Sequence, residues 1–297
     1  MTPATILVCG ATGQVGAAVC QQLDAMGVAW VGLSRKASLD ARFRQADFAD
    51  SASLPPVLAG IDTVFLACSD DPHQDALEIN MVNACRAHGV RHVVKLSAQS
   101  AGLQPPVSFG RLHARAEQAL RDSGMAWTFL RPVFFMQSLL FFADSIKGGK
   151  LIAATGKGKV AWVDVRDVAE VAAAVLTNPA PHAGKVYTLT GGTAHSFAEV
   201  TQMLSAVTGK RVKHISPPAW FAKLVLPLAS GMPRWQSNLA VELMAAIARG
   251  AQQTVSTDAC ALLRQKPRAI AAVIAENLPA WGGSPGHSET VSTLKAP

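Results

Sequence analysis

The chain has 297 residues, 49% hydrophobic and 16% charged, which suits a large α/β domain with an appendage and excludes global disorder. The net charge is +7, but the lysines and arginines form no long run, so we expect no nucleic-acid binding. Five cysteines without a C-x-x-C pair indicate reduced thiols in a cytoplasmic protein, and no secretory signal or membrane-spanning run is recognised.

The first predicted element is a buried strand that leads into a turn with the spacing Gly10-x-x-Gly13-x-x-Gly16. A helical pattern follows, with an apolar face of Val15, Val19, Leu23 and Met26. A helix start attracts anions, because its first N–H groups lack backbone partners and the helix dipole is positive there. This order predicts binding of a dinucleotide pyrophosphate rather than a purely structural turn. Further predicted contacts in the turn are Thr12, Gln14 and Val15.

The second predicted strand, residues 28–33, ends at Ser34, Arg35 and Lys36. In a doubly wound sheet this end lies beside the adenine ribose, where an acidic residue binds a free 2′-hydroxyl and cations favour a 2′-phosphate. Because two cations and no acid stand here, we predict NADP(H) as the cofactor. For Lys36, a solvated basic turn is the alternative.

Strands and helices alternate through residue 135, which predicts an α/β fold with a Rossmann-type, doubly wound parallel sheet. The elements predicted next are strands at 43–48, 62–67, 91–96 and 126–130 and helices at 51–58, 75–88 and 109–122. Beyond residue 135 we predict helices at 136–146 and 165–176, strands at 151–153, 160–163 and 186–190, a helix capped by Ser196, and three further helices to about residue 277.

The domain prediction follows from the end of the strand–helix alternation at residue 135. Residues 1–135 form an NADP-binding Rossmann domain. Residues 136–281 form mostly a smaller C-terminal α/β substrate lobe, from which the strand at 185–190 returns to the Rossmann sheet. Residues 282–297 are rich in glycine, serine and proline and are predicted to be a disordered tail.

Short motifs follow one another in a fixed order from residue 4 to about 280. They are Gly10-Ala11-Thr12-Gly13-Gln14-Val15-Gly16, Ser34-Arg35, Asp47-Phe48, Gly89-Val90-Arg91-His92-Val93-Val94, Glu117, Ser123-Gly124, Thr128-Phe129-Leu130-Arg131-Pro132, Phe135-Met136 and Val163-Asp164-Val165-Arg166-Asp167-Val168-Ala169. Together they resemble the NmrA-like, atypical branch of the extended short-chain dehydrogenase/reductases, which includes quinone and dye reductases. The resemblance implies a Rossmann domain, a smaller substrate lobe and NADP(H).

The resemblance also implies cofactor contacts beyond the glycine turn. Arg35 would hold the 2′-phosphate, and Asp47 and Phe48 would contact adenine. The remaining implied contacts are Ala67, Cys68 and Ser69 beside adenosine and Pro132, Val133, Phe134 and Phe135 at the nicotinamide face. For Cys68 and Phe134, ordinary core packing is an equal alternative.

Many short-chain enzymes protonate their substrate with a Tyr-x-x-x-Lys pair. The one tyrosine, Tyr187, has no lysine four places later, so we interpret it as a packing residue. His113 stands where reductases of the resembling branch carry a lysine. It could bond the nicotinamide ribose or donate a proton, and a surface pair with Glu117 is the alternative. Ser97, after the fifth strand, would orient substrate or nicotinamide, with a plain turn serine as the alternative.

The predicted function is an NADPH-dependent reductase that transfers hydride to a small apolar conjugated acceptor such as a quinone, which needs little acid catalysis. The apolar second lobe supports this, with Trp220 and Phe221 as the predicted pocket lid. Two alternatives stay open: a catalytically weak NADP(H)-sensing regulator and a cofactor-assisted epimerase or isomerase. The histidines show no metal-ligand spacing, so no metal is predicted, and the sequence leaves the oligomeric state open.

Overall fold

A computed structural model describes residues 5–38, 40–104, 107–229, 231–263 and 265–283, so most of the predicted tail lies outside the described residues. The strands are β1 (Thr5–Val8), β2 (Trp30–Ser34), β3 (Phe43–Gln45), β4 (Ile61–Leu66), β5 (His92–Leu96), β6 (Ala126–Pro132), β7 (Lys150–Ile152), β8 (Lys159–Val160), β9 (Lys185–Leu189), β10 (His195–Ser196) and β11 (Lys213–Ile215). The α-helices are α1 (Gln14–Ala25), α2 (Leu54–Val57), α3 (Gln74–Ala87), α4 (Ser108–Asp122), α5 (Ala143–Lys147), α6 (Val165–Thr177), α7 (Phe197–Thr208), α8 (Ala219–Ala229), α9 (Arg234–Ala248), α10 (Asp258–Leu263) and α11 (Ile270–Glu276).

The chain folds into two compact units, each assembled from three segments. Unit 1 comprises Met1–Pro132, Val165–Leu189 and Asp258–Gln265. Unit 2 comprises Val133–Asp164, Thr190–Thr257 and Lys266–Pro297. The sequence predicts that only the strand at 185–190 returns to the first domain, whereas in the structure α6 and α10 also belong to it.

Unit 1 is built on a seven-stranded sheet of order β3-β2-β1-β4-β5-β6-β9, in which all neighbouring strands are parallel. Its central strands are apolar and buried on both faces, as expected when helices cover a parallel sheet. The predicted Rossmann-type doubly wound sheet is confirmed. The strand order reverses between β1 and β4, and such a switch point opens a crevice at the carboxyl ends of the strands.

In two helices of unit 1, the spacing of apolar residues in the sequence does not fully predict which residues are buried. Val15, Val19 and Leu23 of α1 are buried as predicted, but Met26 is 51% exposed, because the helix ends at Ala25 and Met26 is its C-cap. Helix α6 packs against α1, although both are distant in sequence. Its buried residues occur on most sides of the helix, which is typical of a helix enclosed by its own domain.

Unit 2 has its own apolar core around Trp162 and Phe197. The predicted cap of α7 is present as a full capping box, in which Ser196 Oγ accepts from the Glu199 N–H and the Glu199 carboxylate accepts from the Ser196 N–H. Several details differ from the prediction. Residues Met136–Phe142 form a 3₁₀ helix before α5, and neither β10 nor β11 was predicted. Among the described residues, four α-helices rather than three follow α7, and one of them, α10, belongs to unit 1.

The described residues contain neither a membrane-spanning helix nor a metal-ligand cluster. In these ranges, no helix is both long and apolar enough to cross a bilayer. No group of histidine, cysteine, aspartate or glutamate side chains in the same ranges could hold a metal ion.

The buried imidazole of His92 makes the stability of unit 1 depend on pH. Its Nε2 lies 2.8 Å from Thr128 Oγ1, and Thr128 Oγ1 donates to the His182 carbonyl. Burial lowers the pKa of His92 to about 4. The unfolded chain, with an ordinary histidine pKa of about 6.5, binds the proton more readily. The neutral His92 side chain therefore makes its full contribution to the free energy of unfolding above pH ~6.5. This contribution decreases as the pH falls towards ~4.

We expect the free energy of unfolding to fall by about 1–2 kcal/mol more in the wild type than in His92→Gln between pH ~7 and ~5. The glutamine retains an N–H donor but cannot titrate. Urea unfolding at both pH values measures the difference, and exposed His88→Gln is the control, which should follow the wild type. Parallel losses in the wild type and His92→Gln would contradict this assignment.

Candidate cofactor site

The turn after β1 has the geometry of an anion cradle. Gly10 has a φ of +68°, a conformation that favours glycine, and its carbonyl accepts a hydrogen bond from the Gly13 N–H at 2.8 Å. A Cβ on Gly16 would overlap the Gly10 carbonyl oxygen, so α1 approaches the turn closely only because residue 16 is glycine. Gly13 is the N-cap of α1 and offers no side-chain cap, and the first turn has no acidic residue. The N-terminus of α1 is therefore suited to a phosphate.

A cavity of about 380 Å³ lies above this turn in unit 1. It brings together Gly10, Thr12, Gly13, Gln14, Val15, Gly16, Arg35, Asp47, Phe48, Ala67, Cys68 and Ser69, all of them predicted from the sequence as cofactor contacts. These residues follow the carboxyl ends of β1, β2, β3 and β4, and this common position explains why they converge.

Seven predicted residues do not line this cavity. Lys36 is exposed beyond β2, while Ser97, after β5, and His113, on α4, are buried. Pro132 ends β6 in unit 1, and the following residues Val133, Phe134 and Phe135 belong to unit 2. There Phe134 makes edge contacts with Trp162 and Phe197, so the packing alternative describes this ring.

Some residues of the cavity were not predicted from the sequence. They are Leu33, Ser34, Ala46, Asp70, Asp71, Leu77 and Leu96. Most of them flank a predicted contact at a strand end, so a wider window around each strand end would have found them. Asp70 stands out chemically, because burial raises the pKa of its carboxyl. Asp71 accepts a hydrogen bond from the His73 N–H at 2.7 Å, which shapes the entry to α3.

A buried ion pair lies behind the cavity wall. The Lys95 ammonium of β5 donates to the Glu78 carboxylate of α3 at 2.6 Å, and both side chains are fully buried. Lys95 Nζ also lies 3.4 Å from Nδ1 of His113 on α4. Burial raises the pKa of Glu78, and the neighbouring ammonium opposes that rise. The next residue along β5, Leu96, lines the cavity, so the ion pair fixes the strand that forms one wall.

A second buried group is centred on Glu117. Its carboxylate accepts from Ser97 Oγ at 2.6 Å and from Arg131 at 2.8 and 2.6 Å, and it also pairs with Arg121. Ser97 thus donates to Glu117. The alternative of a surface pair between His113 and Glu117 is wrong, because both side chains are buried and have other partners.

The pKa of His113 lies well below the ordinary value of a histidine. Burial is the main cause, and the positive charges of Lys95 and Arg131 lower its pKa further. Because Nδ1 faces a lysine ammonium, which can only donate, Nδ1 is the acceptor and the ring proton resides on Nε2. The ring also packs edge-on against Phe109. His113 is therefore a buried N–H donor rather than an imidazolium.

The family of the chain follows from comparison with known proteins. Residues 10–179 match the family described as NAD(P)H-binding. The chain belongs to this NAD(P)H-binding family. The match includes the glycine turn and the cavity, and the resemblance to NmrA-like atypical short-chain dehydrogenase/reductases is confirmed.

Individual relatives of this NAD(P)H-binding protein are reductases. An NAD(P)H azoreductase of Xenophilus azovorans is 36% identical over 81% of this chain and 86% of its own. The structure of an NADPH-dependent quinone oxidoreductase of Escherichia coli in complex with NADPH is 27% identical, with a TM-score of 0.83 over 91% of this chain and 99% of its own. A triphenylmethane reductase of Citrobacter sp. is 25% identical, with a TM-score of 0.82 over 93% and 99% of the two chains.

The residues that line the cavity are suited to such a cofactor. The uncapped start of α1 would take the pyrophosphate, since a Cβ at residue 16 would clash with the turn and no side chain competes for the first N–H groups. Arg35, exposed at the end of β2, would reach the ribose edge.

Gly13→Val should weaken NADPH binding by more than about tenfold while the protein stays folded. A Cβ at residue 13 lies 3.2 Å from the Gly10 carbonyl oxygen, so the valine would occupy the approach to the turn. Calorimetric titration measures affinity and circular dichroism the fold. Gly192→Val adds the same side chain in open space and is the control. A folded Gly13→Val protein with normal affinity would place the site elsewhere.

Lys95→Met should destabilise unit 1 by about 3–5 kcal/mol, because it leaves the Glu78 carboxyl buried without its cation. The double variant Glu78→Met/Lys95→Met should recover much of that loss. Chemical unfolding of the two single variants and the double variant gives the coupling free energy. Arg115→Met, which removes a largely exposed arginine from its pair with Asp75, is the control and should cost less than about 1 kcal/mol. An additive cycle at Glu78 and Lys95 would refute the coupling.

Proposed function

We propose that this protein transfers hydride from NADPH to a small apolar conjugated acceptor such as a quinone. The observation that carries the proposal is a single cavity that joins an uncapped glycine turn to a cation at the end of β2. The turn suits the pyrophosphate, and Arg35 suits the 2′-phosphate that distinguishes NADPH from NADH. The bound nicotinamide supplies the hydride.

The names of the relatives support the acceptor class. One is an azoreductase, one a quinone oxidoreductase and one a triphenylmethane reductase. These names describe conjugated acceptors that take up hydride into an extended π-system. Reduction of such an acceptor needs little general acid catalysis, because the reduced acceptor is a comparatively weak base.

The side chains of this protein agree with weak acid catalysis. The sequence has no Tyr-x-x-x-Lys pair, and the hydroxyl of Tyr187 on β9 lies 2.8 Å from Nδ1 of His182. His113 is held neutral by its surroundings, so we assign it the nicotinamide ribose rather than proton donation to the acceptor. The proton that completes reduction of the acceptor then comes from water. Ser97 acts through Glu117 by positioning β5.

Purified protein incubated with NADPH and a panel of quinones tests the proposal. We expect the absorbance of NADPH to decrease with at least one quinone, and Gly13→Val to lose this activity. Tight NADPH binding with no oxidation by any quinone, azo compound or dye would instead favour the NADP(H)-sensing regulator, the alternative that the missing tyrosine–lysine pair supports.

Arg35→Ala should remove roughly 1.5–3 kcal/mol of the preference for NADPH over NADH, about a 10- to 150-fold change in relative affinity. The reason is loss of charge-assisted hydrogen bonds to the 2′-phosphate, so NADH binding should barely change. Lys36→Ala removes the neighbouring cation outside the cavity and is the matched control. Equal wild-type affinities for the two cofactors would contradict the role of Arg35.

His113→Phe should weaken NADPH binding about tenfold, whereas His113→Gln, which keeps an N–H donor, should retain most of the affinity. Because the wild-type imidazole is already neutral, the pH profile of kcat should be the same in the wild type and in His113→Gln between pH ~5.5 and ~8. Cofactor titration and turnover measure the two effects. Unchanged affinity in His113→Phe would exclude the ribose contact. An alkaline loss of activity that disappears in His113→Gln would restore the proton-donor role.

A further inference from the structure

Helix α8 of unit 2 is apolar on both of its faces. Its inner face carries Ala222 and Leu226, which pack with Val241 and Met244 of α9. Its outer face carries Trp220, Leu224 and Leu228, which are 71%, 65% and 84% exposed. A helix that is hydrophobic all round normally has a partner on each side. In the described part of the chain, only the inner face of α8 has one.

The outer stripe has the spacing i, i+4, i+8, so its three side chains lie one above another along the helix. Phe221, also exposed, widens the stripe, and Lys223 lies at its edge. The helix has 11 residues, about 16 Å in length, which is too short to cross a bilayer but suits a helix lying in the interface. Tryptophan and leucine beside lysine are typical of such interfacial helices.

The two-stranded ribbon that precedes α8 also combines exposed apolar side chains with lysines. β7 and β11 pair in parallel with Lys150 beside Lys213 and Ile152 beside Ile215. All four residues are exposed, and residues two apart in a strand share a face. Two adjacent lysines destabilise a strand pair unless an anion lies between them. Only residues 216–218 separate this ribbon from α8.

The charge of this region has one sign. Residues 200–241 contain no aspartate or glutamate, and their cations are Lys210, Arg211, Lys213, Lys223 and Arg234, all exposed. This segment, which includes the apolar stripe, therefore carries positive charge without a compensating carboxylate of its own.

We infer that the α8 stripe and the β7–β11 ribbon form a docking surface for an anionic lipid membrane. The apolar side chains of Trp220, Leu224 and Leu228 enter the headgroup region, and Lys213 and Lys223 contact lipid phosphates. A second copy of this chain fits less well, because it would bring an equally positive surface to the same contact. This inference goes beyond the proposed reductase activity and requires neither cofactor nor acceptor.

Co-sedimentation of the full chain with lipid vesicles tests the inference. One set contains phosphatidylcholine alone, and the other contains about 30% phosphatidylglycerol. We expect at least about tenfold stronger binding to the anionic vesicles, and we expect salt between about 50 and 500 mM to weaken it.

Two variants separate the apolar and the charged contributions. Trp220→Ser/Leu224→Gln/Leu228→Gln should reduce binding to anionic vesicles about tenfold or more. Its control, Met26→Gln/Val186→Gln/Val255→Gln, alters three exposed apolar residues elsewhere and should bind like the wild type. Lys213→Gln/Lys223→Gln should bring binding close to that on neutral vesicles. Its control, Arg86→Gln/Lys185→Gln, removes the same charge from unit 1.

Several results would overturn the inference. They are equal or absent binding of the wild type to both vesicle types, or wild-type binding by the α8 variant. A dimer in sedimentation equilibrium that the α8 variant abolishes would assign the stripe to a second copy. Lost turnover with unchanged vesicle binding in the same variant would assign α8 to the predicted lid. The oxidation of NADPH by quinones in the wild type is tested independently of each of these results.

Discussion

The close approach of α1 to the turn after β1 is the constraint on which the cofactor site depends. It exists because residue 16 has no side chain, since a Cβ there would overlap the Gly10 carbonyl oxygen. This contact sets the direction of α1 and so aims its uncapped N-terminus over the end of the sheet. The ends of β2 and β4 supply the rest of the cavity, because parallel strands end at the same edge.

Much of the cofactor site can be predicted from the sequence, because the features that form it are local. Glycine spacing, a cation after a strand and the order of strand ends each act within a few residues. The positions of His113 and Glu117 are different, since both depend on how α4 packs on β5 and on partners such as Lys95 and Arg131. Their spacing of four residues also suits a surface pair, and only tertiary packing decides between the two. The return of α6 to unit 1 was missed for the same reason.

The buried polar groups connect the stability of unit 1 to the chemistry that we propose. Lys95 satisfies Glu78 and at the same time disfavours a proton on His113. One cation thus links β5 to α3 and α4, and it adds to the burial that lowers the pKa of His113. A reductase of conjugated acceptors tolerates such a neutral environment, because positioning of the nicotinamide matters more than proton supply.

The three-segment composition of unit 1 has a consequence for synthesis on the ribosome. When Pro132 has emerged, β6 is the edge of the nascent sheet, and β9, its partner, is still to be translated. The Thr188 N–H gains its Asp258 carboxylate acceptor later still. At about 5–20 residues per second, the last segment of unit 1 follows the first on the order of ten seconds later. Until β9 emerges, the nascent chain presents β6 as an open strand edge, which is a template for aggregation, so we expect this fold to benefit from chaperones that bind during translation.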